Sequence, residues 1–365
     1  MKICYIADAN SPHSQRWIGY FAKRGYQIDW ISCSAPEGDF PDGIKFHKIK
    51  DSRFKPWKII KNVVAVRRLV KQIKPDILHA HYAGVNGVLG WLCGVHPYVI
   101  TAWGSDILIA AKKPAMKIFI KRALASADMI TADAFHLKDE MIRLRLPKEK
   151  MEIINFGVET EIFCPRAADI GLQKKLGIQN HPSIISARSL EPIYDIATLL
   201  EAAAMVIVER IPAVKFIIGG RGSQEAELKR QANKLGIENN LTFAGFIPHD
   251  ELREWFCSAD IYVSTSLSDA GIAASTAEAM ACGLPAVVSD TAENNKWIEN
   301  NRNGFLFPAK DAKKLAEILI RLISNADICR EIGIAGRKTI IERNDYDNEM
   351  AKMEKLYEKL GSINE

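Results

Sequence analysis

Short apolar runs rich in β-branched residues recur along this chain, and each gap between them fits one amphipathic helix. Strand-like runs occupy residues 2–7, 27–32, 76–80, 98–102, 129–131 and 151–154. A second series follows at 183–187, 214–219, 241–243, 261–265 and 286–289, with helical patterns at 195–208, 223–235, 249–257, 271–282 and 311–325. Alternation of this kind predicts the α/β class with parallel sheets. A length of 365 residues exceeds what one core usually serves, so the two series predict two Rossmann-like domains. Their join falls near Asn155-Phe156-Gly157-Val158, which gives expected domains of 1–157 and 158–344 and a last helical segment at 345–365.

Composition narrows the class further. Charged residues at 25% and apolar residues at 48% suit a folded enzyme and exclude a wholly disordered chain. Seven cysteines, an odd number with no Cys-x-x-Cys pair, predict a reduced, cytoplasmic protein without structural zinc. Met1-Lys2 leads straight into an apolar strand, so no secretory signal is expected. The apolar run 82–103 is broken by Asn86, His96, Pro97 and glycines, and reads as a buried helix followed by a buried strand. Charge is uneven: residues 1–160 hold 25 Lys+Arg against 15 Asp+Glu, while the remainder is net acidic. Two basic and apolar stretches, Arg53-Phe54-Lys55-Pro56-Trp57-Lys58 and the region of Lys112, Lys113, Lys117, Ile118, Phe119, Ile120, Lys121 and Arg122, suit either an anionic membrane surface or plain solvation. No nucleic-acid reader motif is present.

The stretch 261–285 carries the densest chemistry. A β-branched strand runs into the small, polar loop 266–271, then into an Ala-rich helix bearing Glu278 and closed by Gly283-Leu284-Pro285. Open amides from Gly271 through Ala274, Ser275 and Thr276 would meet an anion at the helix N-terminus, and Glu278 would lie one turn deeper. A phosphate with an attached sugar hydroxyl fits that pair.

Glu278-Ala279-Met280-Ala281-Cys282-Gly283-Leu284-Pro285 resembles the donor loop of the family 4 retaining glycosyltransferases, whose pattern is Glu, seven residues, Glu, then Ala-Met-Ala-x-Gly-x-Pro. Phe163-Cys164-Pro165 after the Asn-x-Gly-Val join, and Asn303-Gly304-Phe305-Leu306-Phe307-Pro308, resemble the same family. The resemblance implies the glycosyltransferase B fold: two Rossmann-like domains facing a cleft, with the C-terminal helix crossing back to the N-terminal domain. It also implies a metal-independent enzyme without a cofactor, moving sugar with retention from a nucleotide-diphosphate sugar, UDP-linked, to a glycan or lipid-linked acceptor in envelope polysaccharide synthesis. A station at the inner face of the membrane follows from that acceptor.

Carried onto this sequence, the resemblance assigns the diphosphate to Arg188 and the helix amides, and the ribose to Glu278. Gly220 belongs to a Gly-rich turn, 219–222, that would let the nucleotide approach, and Ile247 to a loop whose backbone contacts the base. His249 reads as a neighbour of a helix cap. Three positions depart from the pattern. Tyr194 stands where relatives have the second phosphate-binding cation, Ala270 where they have the first Glu, and Trp103 where they have a His near the reacting sugar. Asp269, or backbone, would then hold the donor sugar. On the acceptor side, His13, Asn10 and Arg16 follow the first strand, His81 ends another, and Asp106 is either a base for an acceptor hydroxyl or a helix N-cap. His79 and His81 share a strand face but lack a third ligand, so no metal is expected. A noncatalytic sugar-nucleotide-binding protein and a nucleotide-sugar epimerase remain the rival readings.

Overall fold

The computed structural model describes residues 1–36, 43–49, 56–112, 114–209, 211–269 and 271–362. Arg53, Phe54, Lys55, Lys113 and Ala270 lie outside the described residues, as do the side chains of Pro56, Trp57, Lys58 and Lys112.

Two α/β units form. The first comprises Met1–Phe156 with Asp347–Glu365, the second Gly157–Tyr346. In the first, seven parallel strands are β1 (Lys2–Ile6), β2 (Gln27–Ser32), β3 (Ile44–Lys48), β4 (Ile77–His81), β5 (Tyr98–Ala102), β6 (Met129–Ala132) and β7 (Met151–Ile153), ordered β3-β2-β1-β4-β5-β6-β7. In the second, β8 (Ser183–Ala187), β9 (Lys215–Gly219), β10 (Leu241–Gly245), β11 (Ile261–Ser264), β12 (Ala286–Ser289) and β13 (Phe305–Phe307) are ordered β10-β9-β8-β11-β12-β13. Each order reverses direction once, between β1 and β4 and between β8 and β11. Open sheets of this type bind ligands outside the strand C-termini at that reversal.

The central strands β4 and β5 are buried on both faces, which is why β5, Tyr-Val-Ile-Thr-Ala, reads as a near-continuous apolar run, while β4 buries two histidines, His79 and His81, among its apolar residues. A fully buried side chain such as Ile130 contributes about 1.5–3 kcal/mol. The apolar run 82–103 folds as helix Val85–Cys93 and then β5. Among the described residues, no helix is long and apolar enough to cross a membrane.

The last helix, Tyr346–Gly361, lays Met350, Met353, Tyr357 and Leu360 into the first unit's core. It is tied there by polar contacts as well. Tyr357 Oη lies 3.0 Å from Tyr5 Oη and also meets His79 Nδ1, while the Glu349 carboxylate accepts the Asn155 amide at 2.7 Å.

Several elements are absent from the sequence reading, among them strands β3 and β13, the short helices Ile170–Leu176 and Asn294–Trp297, and helix Ala326–Asn344. Gly333 and Gly336 interrupt the apolar pattern of helix Ala326–Asn344, and the structure gives the reason. A Cβ on Gly333 would sit 2.0 Å from the Gly283 carbonyl oxygen. The helix keeps glycine so that it can approach the 283–285 turn.

Candidate functional site

In the second unit the site assembles where β8 and β11 part. Arg188 directly follows β8, and its amide donates to the Gly219 carbonyl at 3.0 Å, which fixes the residue beside the end of β9. Its guanidinium is buried, as is Asp269 from the loop after β11, and the two form a close ion pair through Nη2. Nη1 reaches Ser275 Oγ at 3.4 Å, and the ring of Tyr194 lies 4.4 Å below the guanidinium carbon. The buried Nε–H is unspent among the described residues. A desolvated cation with an open donor is an anion site in waiting.

The helix that faces it runs from Ala274 to Ala281, with Ala273 as an N-cap that offers no side-chain acceptor. Gly271 adopts φ +67°, a left-handed turn that swings the chain into this helix. The first intrahelical acceptor is used by Ala277, so the amides of Ala274, Ser275 and Thr276 stay open among the described residues. Tyr262 Oη holds the first turn in place through Ser275 Oγ at 2.8 Å and Thr276 Oγ1 at 3.3 Å. Burial raises the Tyr262 pKa, with the Arg188 charge opposing it, so the phenol stays protonated as a donor.

Glu278 sits one turn further on, 8% exposed, with Oε1 2.9 Å from His249 Nε2. His249 is therefore a partner of Glu278 as well as a neighbour of the next helix. Sequence reasoning missed that pairing, and the signal was weak: a histidine just past the β10 loop. Tyr262, a core strand residue by pattern, was missed too.

The glycine turn has a different cause from the one expected. A Cβ on Gly220, at φ +132°, would lie 2.1 Å from the Arg188 carbonyl oxygen, and one on Gly222 would lie 2.3 Å from that of Leu190. Close packing against the 188–190 backbone requires these glycines whether or not a ligand is bound. Ile247 is buried, and its Cδ1 would lie 2.4 Å from a Cβ on Gly219. The Tyr194 ring face carries the Arg188 guanidinium, and its carbonyl accepts Thr265 Oγ1 at 2.8 Å.

In the first unit a cavity of about 360 Å³ opens at the C-terminal ends of β1, β2, β4 and β5, the reversal point of that sheet. Asp8, His13, His81, Tyr82 and Trp103 are among its lining. The N-cap Ser11, with Pro12 after it, starts helix Pro12–Lys23 so that His13 and Ser14 occupy the first turn above the cavity. His13 stacks on Trp103 at 5.2 Å between centroids. His81 Nδ1 meets Ser14 Oγ at 3.1 Å, while His81 Nε2 and Trp103 Nε1 are buried and unspent among the described residues. Burial, aided by the charge of His13, pushes His81 down to about 3. Burial also lowers the pKa of His13, so this cavity is lined by neutral rings.

Not every expected residue gathers there. Asn10 is exposed and its amide donates to Asp8 Oδ1 at 3.1 Å, and Arg16 stacks over Phe156 at 4.5 Å; neither lines the cavity. Asp106 corrects both readings given for it. It is fully buried in the first turn of helix Ser105–Leu108, behind the N-cap Gly104. Its oxygens accept the amides of Ala83 at 2.7 Å, Gly104 at 3.0 Å and Ile107 at 3.1 Å. The carboxylate braces the loops after β4 and β5 instead of facing the cavity. His79 is similarly spent inside, on Tyr357 and on Thr101 Oγ1 at 2.7 Å. Among the described residues no group of three or more His, Cys, Asp or Glu could hold a metal ion.

Comparisons with known proteins follow the same division. Residues 2–134 match the model described as Glycosyl transferase 4-like, and residues 171–339 the model described as Glycosyl transferases group 1. The N-acetyl-alpha-D-glucosaminyl L-malate synthase of Bacillus anthracis is 22% identical over 92% of this chain and 90% of its own length. The amylovoran biosynthesis glycosyltransferase AmsK of Erwinia amylovora is 30% identical over 57% of this chain and 50% of its own. Among solved structures, Alr3699/HepE of Anabaena in complex with UDP superposes with a TM-score of 0.81 at 20% identity, over 99% of this chain and 100% of that one. The same Anabaena protein has been solved with UDP-glucose, with a TM-score of 0.79. At that identity the structural likeness is one of fold.

Proposed function

Because the chain belongs to the group 1 glycosyl transferases and has their two Rossmann-like units, we propose that it transfers a sugar, with retention, from a nucleotide-diphosphate sugar bound to its second unit. The observation that carries this reading is Arg188: a buried guanidinium with an unspent Nε–H beside three open helix amides. That combination suits the two phosphates of a donor, because the charge that develops on the departing diphosphate meets donors already in place. Glu278, steadied by His249, would accept hydrogen bonds from the ribose hydroxyls, and Ile247 would place its backbone against the base.

UDP is the carrier of choice here, since a protein of the same fold holds it. The sugar hydroxyls would be read by Asp269 once a phosphate has taken its place on Arg188. In the step itself the anomeric bond to the diphosphate breaks, its electron pair passes to the phosphate oxygen held by Arg188, and an acceptor oxygen bonds to the same face of the sugar. Neutral His13 is suited to take the acceptor's proton, and Trp103 and His81, each with an unspent ring nitrogen, to position it in the cavity of the first unit. No metal takes part in this scheme.

A glycan or lipid-linked acceptor in envelope polysaccharide synthesis accords with the amylovoran relative. Helix Pro114–Ser126 supports a cytoplasmic enzyme resting on the membrane's inner face: Ile118 and Phe119 are exposed beside Lys117 and Arg122, whereas Ile120 turns into the core. Incubation with UDP-sugars, with proton NMR of the products, tests the reaction. Release of the α-anomer or its transfer to an acceptor supports it, and binding without turnover of any nucleotide sugar would leave a noncatalytic binder instead.

A further inference from the structure

The cavity at the C-terminal ends of β1, β2, β4 and β5 has two kinds of wall. One is aromatic and fixed by packing. His13 and Trp103 lie 18° from parallel, Trp17 meets Trp103 edge-on at 5.6 Å, and Phe156 meets His13 edge-on at 4.3 Å. The other wall is polar. The Ser34 hydroxyl donates to Asp8 Oδ1 at 2.6 Å and the Asn10 amide to the same oxygen at 3.1 Å, which leaves Oδ2 of this exposed carboxylate without a partner among the described residues. Asn86, whose Nδ2 donates to the His81 carbonyl at 2.9 Å, has its Oδ1 likewise unpartnered among the described residues.

Charge is sparse here. Among the described lining residues Asp8 is the one side chain with a full charge: burial holds His13 and His81 neutral, and no Lys or Arg takes part. Arg16, one helical turn beyond His13, stacks over Phe156 instead. Counting donors and acceptors then selects the ligand. The buried Trp103 Nε1–H can only donate, and the unpartnered Asp8 oxygen can only accept. An anion brings acceptors alone, so it would satisfy the indole while meeting Asp8 as a like charge. An ammonium brings donors alone and would leave the indole N–H stranded. A hydroxyl group does both, and a sugar ring adds an apolar C–H face for the aromatic wall. Ligand cavities run from about 300 to 1,000 Å³, so a volume of about 360 Å³ holds one ring and not a chain.

We propose that this cavity binds an uncharged sugar ring, laid on the His13–Trp103 wall with its hydroxyls shared between Asp8 Oδ2 and the Trp103 and His81 nitrogens, and that Asp8 turns away rings bearing a carboxylate or phosphate. The role of that ring rests on the reading of the first unit as the acceptor side: it is then the acceptor's terminal residue, and the acceptor class is a neutral glycan end. The same ring ends a free glycan and a lipid-linked one. The two sources differ only in what the anomeric oxygen carries.

The test uses the full chain and no nucleotide, so its failure is separable from a failure of the donor reading. Saturation-transfer NMR is run with the methyl glycosides of glucose, galactose and mannose, each paired with its hexuronic acid counterpart. At least one neutral glycoside should bind, with its acidic counterpart about tenfold weaker or more. Asp8→Asn keeps an oxygen for the Ser34 hydroxyl and removes the charge, so it should close most of that gap. Trp103→Phe keeps an aromatic wall but loses the N–H, and should weaken the neutral glycoside by about fivefold. Tighter binding of a hexyl than of a methyl glycoside assigns the ring to a lipid-linked source, and parity to a free glycan. Binding with this pattern but without transfer from any donor would leave the ring site standing and refute only its role as the acceptor side. No saturation transfer to any neutral glycoside, acidic rings bound as well as neutral ones by the wild type, or a gap that Asp8→Asn leaves intact would overturn the proposal.

Discussion

Asp269→Asn separates two effects of one carboxylate. Both side chains of the Arg188–Asp269 pair are only 9% exposed, so the substitution strands a guanidinium in a desolvated place. Removing one partner of a buried pair costs about 3–5 kcal/mol, and the lower end applies because Ser275 and the Tyr194 ring still touch Arg188. For a unit of this size, that loss lowers Tm by roughly 6–12 °C. Nucleotide binding should move the other way. A carboxylate roughly 8 Å from a phosphate charge repels it by about 2 kcal/mol at an effective dielectric near 20. Without that repulsion, and with Arg188 released, a nucleoside diphosphate should bind about tenfold more tightly, or ~1.4 kcal/mol. Scanning calorimetry with and without the nucleotide, together with isothermal titration, reads both quantities. A folded Asp269→Asn protein that binds nucleoside diphosphate more weakly than the wild type would refute the reasoning, because Asp269 would then be a ligand and not a competitor.

Glu278→Gln should weaken a ribonucleoside diphosphate by roughly 1.5–3 kcal/mol, the range for a hydrogen bond to a charged group, and its 2′-deoxy analogue by less; equal losses in titration would place Glu278 away from the ribose. Acid should destabilise the first unit. His79 and His81 are held neutral by burial, His81 down to about 3, whereas unfolded they titrate near 6.5 and bind protons that the native state refuses. Stability is therefore fully present well above pH 6.5 and is lost as pH falls below it, with a limiting slope of about 1.4 kcal/mol per pH unit for each histidine, or about 3 kcal/mol for the two between pH 6.5 and 5. Denaturant melts at both pH values check this, and an unchanged midpoint would contradict it. Flotation with vesicles rich in anionic lipid should succeed at low salt and fade as the Debye length shrinks to about 8 Å at physiological ionic strength; no flotation at low salt would point to a soluble acceptor.

Legibility in the sequence followed the range of the interaction. Central strands such as β1 and β5 could be read because burial on both faces favours near-continuous apolar runs. The edge strand β3, Ile-Lys-Phe-His-Lys, is half polar, and β13 is three residues long, too short for any period. The helix Ala274–Ala281 and Glu278 were legible because a loop-to-helix motif is local, whereas the contacts that set the chemistry cross long separations. Arg188 meets Asp269 across 81 positions, Glu278 meets His249 across 29, and Asp106 meets the Ala83 amide across 23. Asp106 shows the limit most plainly. Its place at a helix start suggested a cap or a base, and only the fold brings a third amide from another loop. Gly220 and Gly222 read as a ligand turn, yet their lack of a Cβ is already required by the neighbouring backbone.

The central claim is that Arg188 and the first turn of helix Ala274–Ala281 hold a donor diphosphate. Isothermal titration of UDP, GDP and ADP, with inorganic pyrophosphate as competitor, tests it against wild type, Arg188→Lys and Arg188→Ala. The expected result is that at least one nucleotide binds the wild type and is displaced by pyrophosphate. Binding should weaken moderately in Arg188→Lys, which keeps the charge but loses the fork, and by about a hundredfold or more (~2.7 kcal/mol) in Arg188→Ala. Near-equal affinity in all three proteins would contradict the claim and put the phosphates elsewhere.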